Sequence, residues 1–254
     1  MRIATWNVNS IRQRASHVID YLTRVQPELL LLQELKCEEA AFPADFAALG
    51  YHAEVVGQKA YNGVAALGAV PFEVVHRKLP GLPDDPQARY IEVAIGKLTV
   101  IGIYLPNGNS GGDDGYAYKL AWMDALHARV AELLDQDRDL VVTGDFNVAP
   151  EDVDYAKGAL SPNDALVRPE TRARYRSLLW LGLTDAIRAI TPTGPVYTFW
   201  DYQAGARQRN AGLRIDHALL SARVAERLVA CAPDSAERDR LQPSDHVPVL
   251  LEIA

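Results

Sequence analysis

The stretch LVVTGDFN, residues 140–147, reads as a buried strand that ends on polar residues. Residues 140–143 are a leucine and β-branched run of the kind covered on both faces of a sheet, after which the chain releases Gly144, Asp145, Phe146 and Asn147. Three other short strings repeat that plan along the chain. TWNVN (5–9), LQELK (32–36) and SDH (244–246) each follow or interrupt an apolar run. Asn7, Glu34, Asp145, Asn147, Asp245 and His246 can therefore converge on one edge of a β-core. A set of oxygen donors with one imidazole in such a cleft suits a hard cation and the hydrolysis of phosphate esters.

Outward from these strings, a first strand is expected over 2–6. Ser10 is the expected cap of a helix over 11–26, where Ala15, Val18, Ile19, Leu22 and Val25 form an apolar stripe before Pro27. Residues 28–33, mostly leucine, read as a buried strand delivering Glu34. Further strands are expected near 64–68, 72–77, 89–95 and 99–105, then a glycine-rich loop over 108–115. A long helix over 118–134 precedes the GDFN strand, and a second helical passage covers 170–181. Short strands near 197–202 and 214–220 follow, and 247–253 ends the chain. The second half repeats the plan of the first with no Pro/Gly/Ser-rich linker between them. The reading is a single domain over 1–254, with two similar halves, roughly 1–135 and 136–254, facing each other as an α/β sandwich.

At 254 residues and 48% hydrophobic content, the chain is long enough for a sizeable core. Its net charge of −7 argues against a protein that coats nucleic acid generally. The charge is uneven, since residues 157–214 carry nine basic against four acidic residues. A local positive face on an acidic body binds a polyanion in one place and avoids it elsewhere. The bland reading of Arg168, Arg172, Arg174 and Arg176 is the solvated face of a helix. Cys37 and Cys231 lie far apart, so no disulfide framework is expected and a reducing compartment is. The start, MRIATWNVNS, has no signal-peptide core, and no apolar stretch approaches membrane-spanning length. A soluble cytoplasmic protein without a membrane partner is expected, by default a monomer.

A carboxylate directly after a leucine run, as at Glu34, must be solvated, paired or metal-bound, because an isolated buried charge is too costly. With Asn7 emerging beside it, a Mg²⁺ ligand is the better reading, since that ion is held by one or two carboxylates and completes its shell with water and phosphate. Asp145 and Asn147, two residues apart, share a side of extended backbone, the first to accept a proton from water and the second to donate to a phosphate oxygen. His246 finds an orienting carboxylate in Asp216, and an imidazolium there would stabilise charge on phosphorus. Asp245 is a candidate second metal contact. His17, His52, His76, His127 and His217 have no comparable setting and read as structural or surface. Tyr104 and Asn107 of YLPN can reach the same phosphate. Phe199, Trp200, Leu213 and Ile215 can wall a pocket for a flipped-out sugar lacking its base, or be core, and Arg207 and Arg209 at its edge are natural phosphate contacts.

The ordered set WNVN, LQELK, YNGVA, YLPNG, GDFN, YTFWDY, GLRID and SDHVP is similar to the exonuclease III family of DNA-repair nucleases, in the endonuclease/exonuclease/phosphatase superfamily. The similarity spans the chain from Trp6 to Pro248. It implies a four-layered α/β sandwich, two mixed β-sheets flanked by helices. It also implies Mg²⁺-dependent cleavage 5′ of abasic sites in double-stranded DNA, with Mn²⁺ also accepted, and 3′-to-5′ exonuclease and 3′-phosphatase or phosphodiesterase activity at blocked 3′ ends. By motif, Glu34 and Asn7 are metal-site residues, Asp145 activates water, Asn147 and Tyr104 contact the phosphate, and Asp216 with His246 forms the acid–imidazole pair. Asp245 joins the metal environment, and Phe199, Leu213 and Ile215 line the abasic pocket. Asn9 stands where some relatives carry Asp, so a second metal site there has one charge fewer. The same scaffold with another substrate (a phosphoinositide, sphingomyelin or RNA) is the first alternative, and a silent nucleic-acid-binding module the second.

Overall fold

The computed structural model describes all 254 residues. In chain order the strands are β1 (Arg2–Asn7), β2 (Leu29–Gln33), β3 (His52–Val56), β4 (Val64–Gly68), β5 (Glu73–His76), β6 (Tyr90–Ile95), β7 (Leu98–Tyr104), β8 (Asp139–Asp145), β9 (Thr184–Asp185), β10 (Asp216–Leu220), β11 (Leu228–Pro233) and β12 (Val249–Ile253). The long helices are α1 (Ile11–Val25), α2 (Gly112–Asp135) and α3 (Pro169–Trp180). Two six-stranded mixed sheets form, ordered β11-β12-β1-β2-β4-β3 and β5-β6-β7-β8-β10-β9. Each sheet thus draws strands from both sides of residue 135.

Each sheet has one parallel pair, β1 with β2 across α1 and β7 with β8 across α2; the other pairings are antiparallel. Strands covered on both faces read as unbroken apolar runs, and the leucines of β2 show why. Leu29 and Leu31 enter the core between the sheets, while Leu30 and Leu32 pack with the α1 residues Val18, Tyr21 and Leu22. In β8, Val141 faces the opposite sheet, and Leu140 and Val142 pack with Trp122, Leu126 and Val130 of α2 and with Tyr175 of α3. Helix, sheet, sheet and helix are the four layers. Each fully buried leucine in them contributes roughly 1.5–3 kcal/mol over leaving it in water. No helix is long and apolar enough to cross a membrane.

Several local expectations change. Ser10 makes no side-chain cap and sits at φ 93°; its N–H and that of Ile11 donate instead to the carbonyls of Glu34 and Leu35. The helix start is therefore tied to the LQELK loop by backbone bonds between segments distant in sequence. Helix α2 begins at Gly112, inside the expected loop, with Asp113 and Asp114 in its first turn, where negative charge favours a helix N-terminus. No strand forms over 197–202, because Phe199 bridges Leu213 on one side and His246 on the other. Edge strands β3 and β11 went unread because most of their residues are at least partly exposed, leaving no continuous apolar run.

Candidate active site

The carboxyl ends of the two parallel pairs meet across the sandwich, the position at which open α/β sheets present ligand sites. Asn7 is in register with Gln33, and Glu34 follows; Tyr104 is in register with Asp145, and Asp216 opposes Asp145 from β10. Gly144, at φ 142°, lets β8 pass close to β7 just before Asp145, since a Cβ there would lie 2.0 Å from the Ile103 carbonyl oxygen. The WNVN and GDFN turns are built alike. Asn9 N–H donates to Asn7 Oδ1 at 3.0 Å and Asn147 N–H to Asp145 Oδ1 at 2.9 Å. Asn9, Glu34, Lys36 and Asn147 all hold left-handed backbone, φ 44° to 53°. Strain gathered in the polar loops of one cleft is the kind that functional sites retain.

The side chains interlock. Asn7 Nδ2 donates to Glu34 Oε1 at 2.9 Å and to Asp145 Oδ2 at 3.0 Å, and the Tyr104 hydroxyl donates to Glu34 Oε1 at 2.9 Å. His246 Nδ1 lies 2.8 Å from Asp216 Oδ2, and its Nε2 faces Asp145 Oδ2 at 3.7 Å. The Phe199 ring meets His246 edge-on, centroids 4.9 Å apart. Asn107 Nδ2 donates to Asn147 Oδ1, whose own Nδ2 is bonded to the Leu105 carbonyl, both at 2.9 Å. Asp245 stands to one side and accepts from Asn9 Nδ2 at 3.1 Å.

Burial, with Asp216 adding repulsion against the His246 attraction, pushes the Asp145 carboxyl up to about 7. Burial works against charge on His246, but Asp216 and Asp145 outweigh it and raise the ring to about 10. Glu34 is only partly exposed, and against that desolvation the Lys36 ammonium and the Asn7 amide hold its carboxyl below the usual range. Burial, then the charges of Glu34 and Asp145, keeps the Tyr104 phenol protonated. One ligand atom each from Glu34, Asp145 and His246 lie within 4.8 Å of one another. The fit to a cation rests on chemistry: Glu34 and Asp145 supply hard oxygen donors, and the His246 attraction does not offset the burial of Asp145, whose ionised form a cation would stabilise further. His246 stands with the two carboxylates in the set that could hold a cation, and in its charged form it is a hydrogen-bond donor.

One buried group escaped sequence reasoning. Lys119 of α2 is fully buried, and its Nζ donates to the Asn107 carbonyl at 3.0 Å and the Asn147 carbonyl at 2.6 Å. Gly108, at φ 87°, makes room for it, because a Cβ there would come 2.7 Å from Lys119 Cδ. Burial pushes the ammonium down to about 7, against the pull of Asp145 and Asp164. Lys119→Met should leave two buried carbonyls unpaired, cost on the order of 2 kcal/mol, and lower kcat by roughly 10- to 100-fold through misplaced Asn147. Urea midpoints and steady-state kinetics check both, and an unchanged kcat would show that the loops hold themselves.

His217, expected to be structural or surface, is structural. It is fully buried, with Nε2 2.9 Å from the Val148 carbonyl and Nδ1 3.0 Å from Arg214 Nη1. Arg214 in turn bonds Asp154 through two nitrogens, at 2.7 and 2.9 Å, and Asp185 at 2.7 Å. Burial first, then Arg214, pushes the imidazole down from 6.5 to about 4. The folded ring is neutral where an unfolded one is charged, so its contribution is complete above pH 6.5 and falls as pH drops toward 4. The stability gap between wild type and His217→Asn should therefore shrink by on the order of 2 kcal/mol between about pH 7 and pH 4.5. Urea unfolding at the two pH values reads it, and a constant gap would contradict the assignment.

Beside the carboxylates opens a cavity of about 440 Å³, walled by Phe199, Leu213, Leu160 and Leu166 and edged by Asn107 and Arg209. Trp200 and Ile215 do not face it: Trp200 packs with Ala206 and Val247, and Ile215 lies behind Leu213 with Ala149 and Val167. Arg207 stacks on Trp200 and pairs with Asp239 at 2.8 and 2.9 Å. The arginines of α3 are partnered as well, Arg172 with Asp152, Arg174 with Asp124 and Arg176 with Glu151.

Known proteins resemble this chain in sequence and fold. A model of the endonuclease/exonuclease/phosphatase family matches residues 4–246. Exodeoxyribonuclease III of Haemophilus influenzae is 33% identical over 99% of both chains. A 3′ phosphatase from Neisseria, solved bound to a product DNA hairpin, superposes with a TM-score of 0.95 at 39% identity, covering 100% of this chain and 99% of its own. An AP endonuclease from Archaeoglobus fulgidus gives 0.94 at 38% identity, with the same coverage.

Proposed function

Because the chain belongs to the endonuclease/exonuclease/phosphatase family, and within it to the exonuclease III family of DNA-repair nucleases, we propose that its cleft hydrolyses the P–O3′ bond of duplex DNA at abasic sites and at blocked or ordinary 3′ ends. The observation that carries this reading is the meeting of Glu34, Asp145 and His246 within 4.8 Å, beside a cavity of about 440 Å³ with apolar walls. An apolar pocket next to a phosphate site suits a sugar without a base, or the terminal nucleotide of a strand.

Glu34 and Asp145, with Asn7 between them, would hold a Mg²⁺ ion, or Mn²⁺ in its place. Bound there, the ion supplies Lewis-acid stabilisation of charge on the phosphoryl oxygens. Asp145 takes the proton from the attacking water as its oxygen bonds to phosphorus. The P–O3′ bond breaks with its electron pair on O3′, which takes a proton from solvent water to become the 3′-hydroxyl of one product, and the phosphate stays on the other. His246, held charged by Asp216, donates from Nε2 to a non-bridging oxygen as negative charge grows. Tyr104 and the Asn107–Asn147 amide pair orient the phosphate, and Asp245 stays in the outer environment. Phe199 and Leu213 pack on the sugar, while Arg209 and, at the rim, Arg207 meet the backbone. The two buried free thiols, Cys37 and Cys231, support a reducing, cytoplasmic compartment. Acting as a monomer is part of the reading, since one chain carries all these groups.

A 5′-labelled duplex with one central abasic analogue, incubated with protein and Mg²⁺ and run on a denaturing gel, tests it. A band ending at the analogue marks endonuclease action, and a ladder shortening from the 3′ end marks exonuclease action. Intact substrate across Mg²⁺ and Mn²⁺ would overturn the reading and favour another phosphoester as substrate.

A further inference from the structure

The Glu34 carboxylate has two edges, and they are served differently. Oε1 faces the cleft and accepts from Asn7 and Tyr104, each at 2.9 Å. Oε2 faces away and is held by Lys36 Nζ at 2.9 Å. That same ammonium also donates to Asn9 Oδ1, and Asn9 Nδ2 reaches Asp245 Oδ1 at 3.1 Å. Lys36 therefore occupies the space between Glu34 and the Asn9–Asp245 pair, a second place where a carboxylate of the cleft could share a cation. Its position is built: Glu34 and Lys36 both take left-handed backbone, φ 53°, which turns the two side chains back toward each other across one residue.

We infer that Lys36 is a resident cation of this site, filling the outer edge of Glu34 so that the cleft accepts one divalent ion and not two. The inference rests on the metal-dependent reading of the cleft. An ammonium on Glu34 Oε2 repels a divalent ion at the same oxygen, and each would weaken the other's hold on that carboxylate. Asn9 is suited to this partner, since its neutral amide turns an acceptor to Lys36 and a donor to Asp245. Lys36 is thus a positioning residue. It orients Glu34 with Oε1 toward the reacting phosphate, and it sets the number of ions.

Titration of the metal-free protein with Mn²⁺, followed by electron paramagnetic resonance and calorimetry, tests this without recourse to activity. The wild type should bind one Mn²⁺ per chain with an isolated six-line spectrum once released ion is counted. Lys36→Gln should bind the first ion roughly tenfold more tightly and admit a second, whose proximity broadens the spectrum. Lys36→Arg, which keeps the charge, should stay at one. Lys36 is only partly covered, a third of its side chain exposed, so these variants should fold, and the wild-type stoichiometry stands as a test without them. Two exchange-coupled ions in the wild type would overturn the inference, as would a Lys36→Gln protein that still binds one. No bound Mn²⁺ in any of the three would overturn the metal-dependent reading, and this inference with it.

Discussion

Asp145→Asn should lower kcat on an abasic duplex by roughly 1,000-fold or more, while DNA affinity changes only a few-fold. Asparagine keeps the shape of the side chain and can still accept the Asn147 N–H through its oxygen, so the turn survives. What disappears is the base, and with it one of the two carboxylates available to a cation. The fold should not suffer. Asp145 is buried, which disfavours its charge, and Asp216 opposite adds repulsion, so a neutral residue there costs little even with the His246 attraction lost. Thermal unfolding should be nearly unchanged. Single-turnover cleavage and a gel-shift titration separate the two effects, and a variant that cut DNA at a tenth of the wild-type rate would remove Asp145 from the role of base.

That residue was legible in the sequence for a physical reason. A central parallel strand is covered on both faces, so its apolar run is unbroken, and the first charge after the run marks the sheet's edge. Glu34 after β2 and Asp145 at the end of β8 are read in this way, and the likeness of the WNVN and GDFN turns follows from Asn and Asp bonding their own backbone two residues on. An α/β sandwich was legible too, through the alternation of such strands with the α1 and α2 stripes, whereas its two mixed sheets flanked by helices followed only from the family resemblance. Other features were hidden because their cause lies far away in sequence. Lysine on a helix reads as solvated, and only the crossing of the YLPN and GDFN loops over α2 buries Lys119. Ser10 looked like a cap because the carbonyls that satisfy the start of α1 belong to residues 34 and 35. Phe199 and Trp200 have strand composition, yet Phe199 is drawn to two partners at once, one of them His246.

The bridge from Phe199 to His246 matters for the second large effect. His246→Gln should reduce kcat by roughly 1,000-fold, because the only cation aimed at the phosphate from the chain's own core disappears. Asp216→Asn should cost less, about 100-fold. Phe199 at 4.9 Å and the backbone bond of Val247 to Thr198 still place the ring, but the carboxylate that keeps it charged is gone. If Asp216 acts through His246, the two losses cannot add. The double variant should be no slower than His246→Gln alone, since an orienting group has nothing left to orient. Additive losses would give Asp216 a separate role, and its second oxygen, buried without a partner, is where that role would have to lie. A cycle of the four proteins on one abasic duplex at saturating Mg²⁺ therefore decides whether the buried pair works as one group or two.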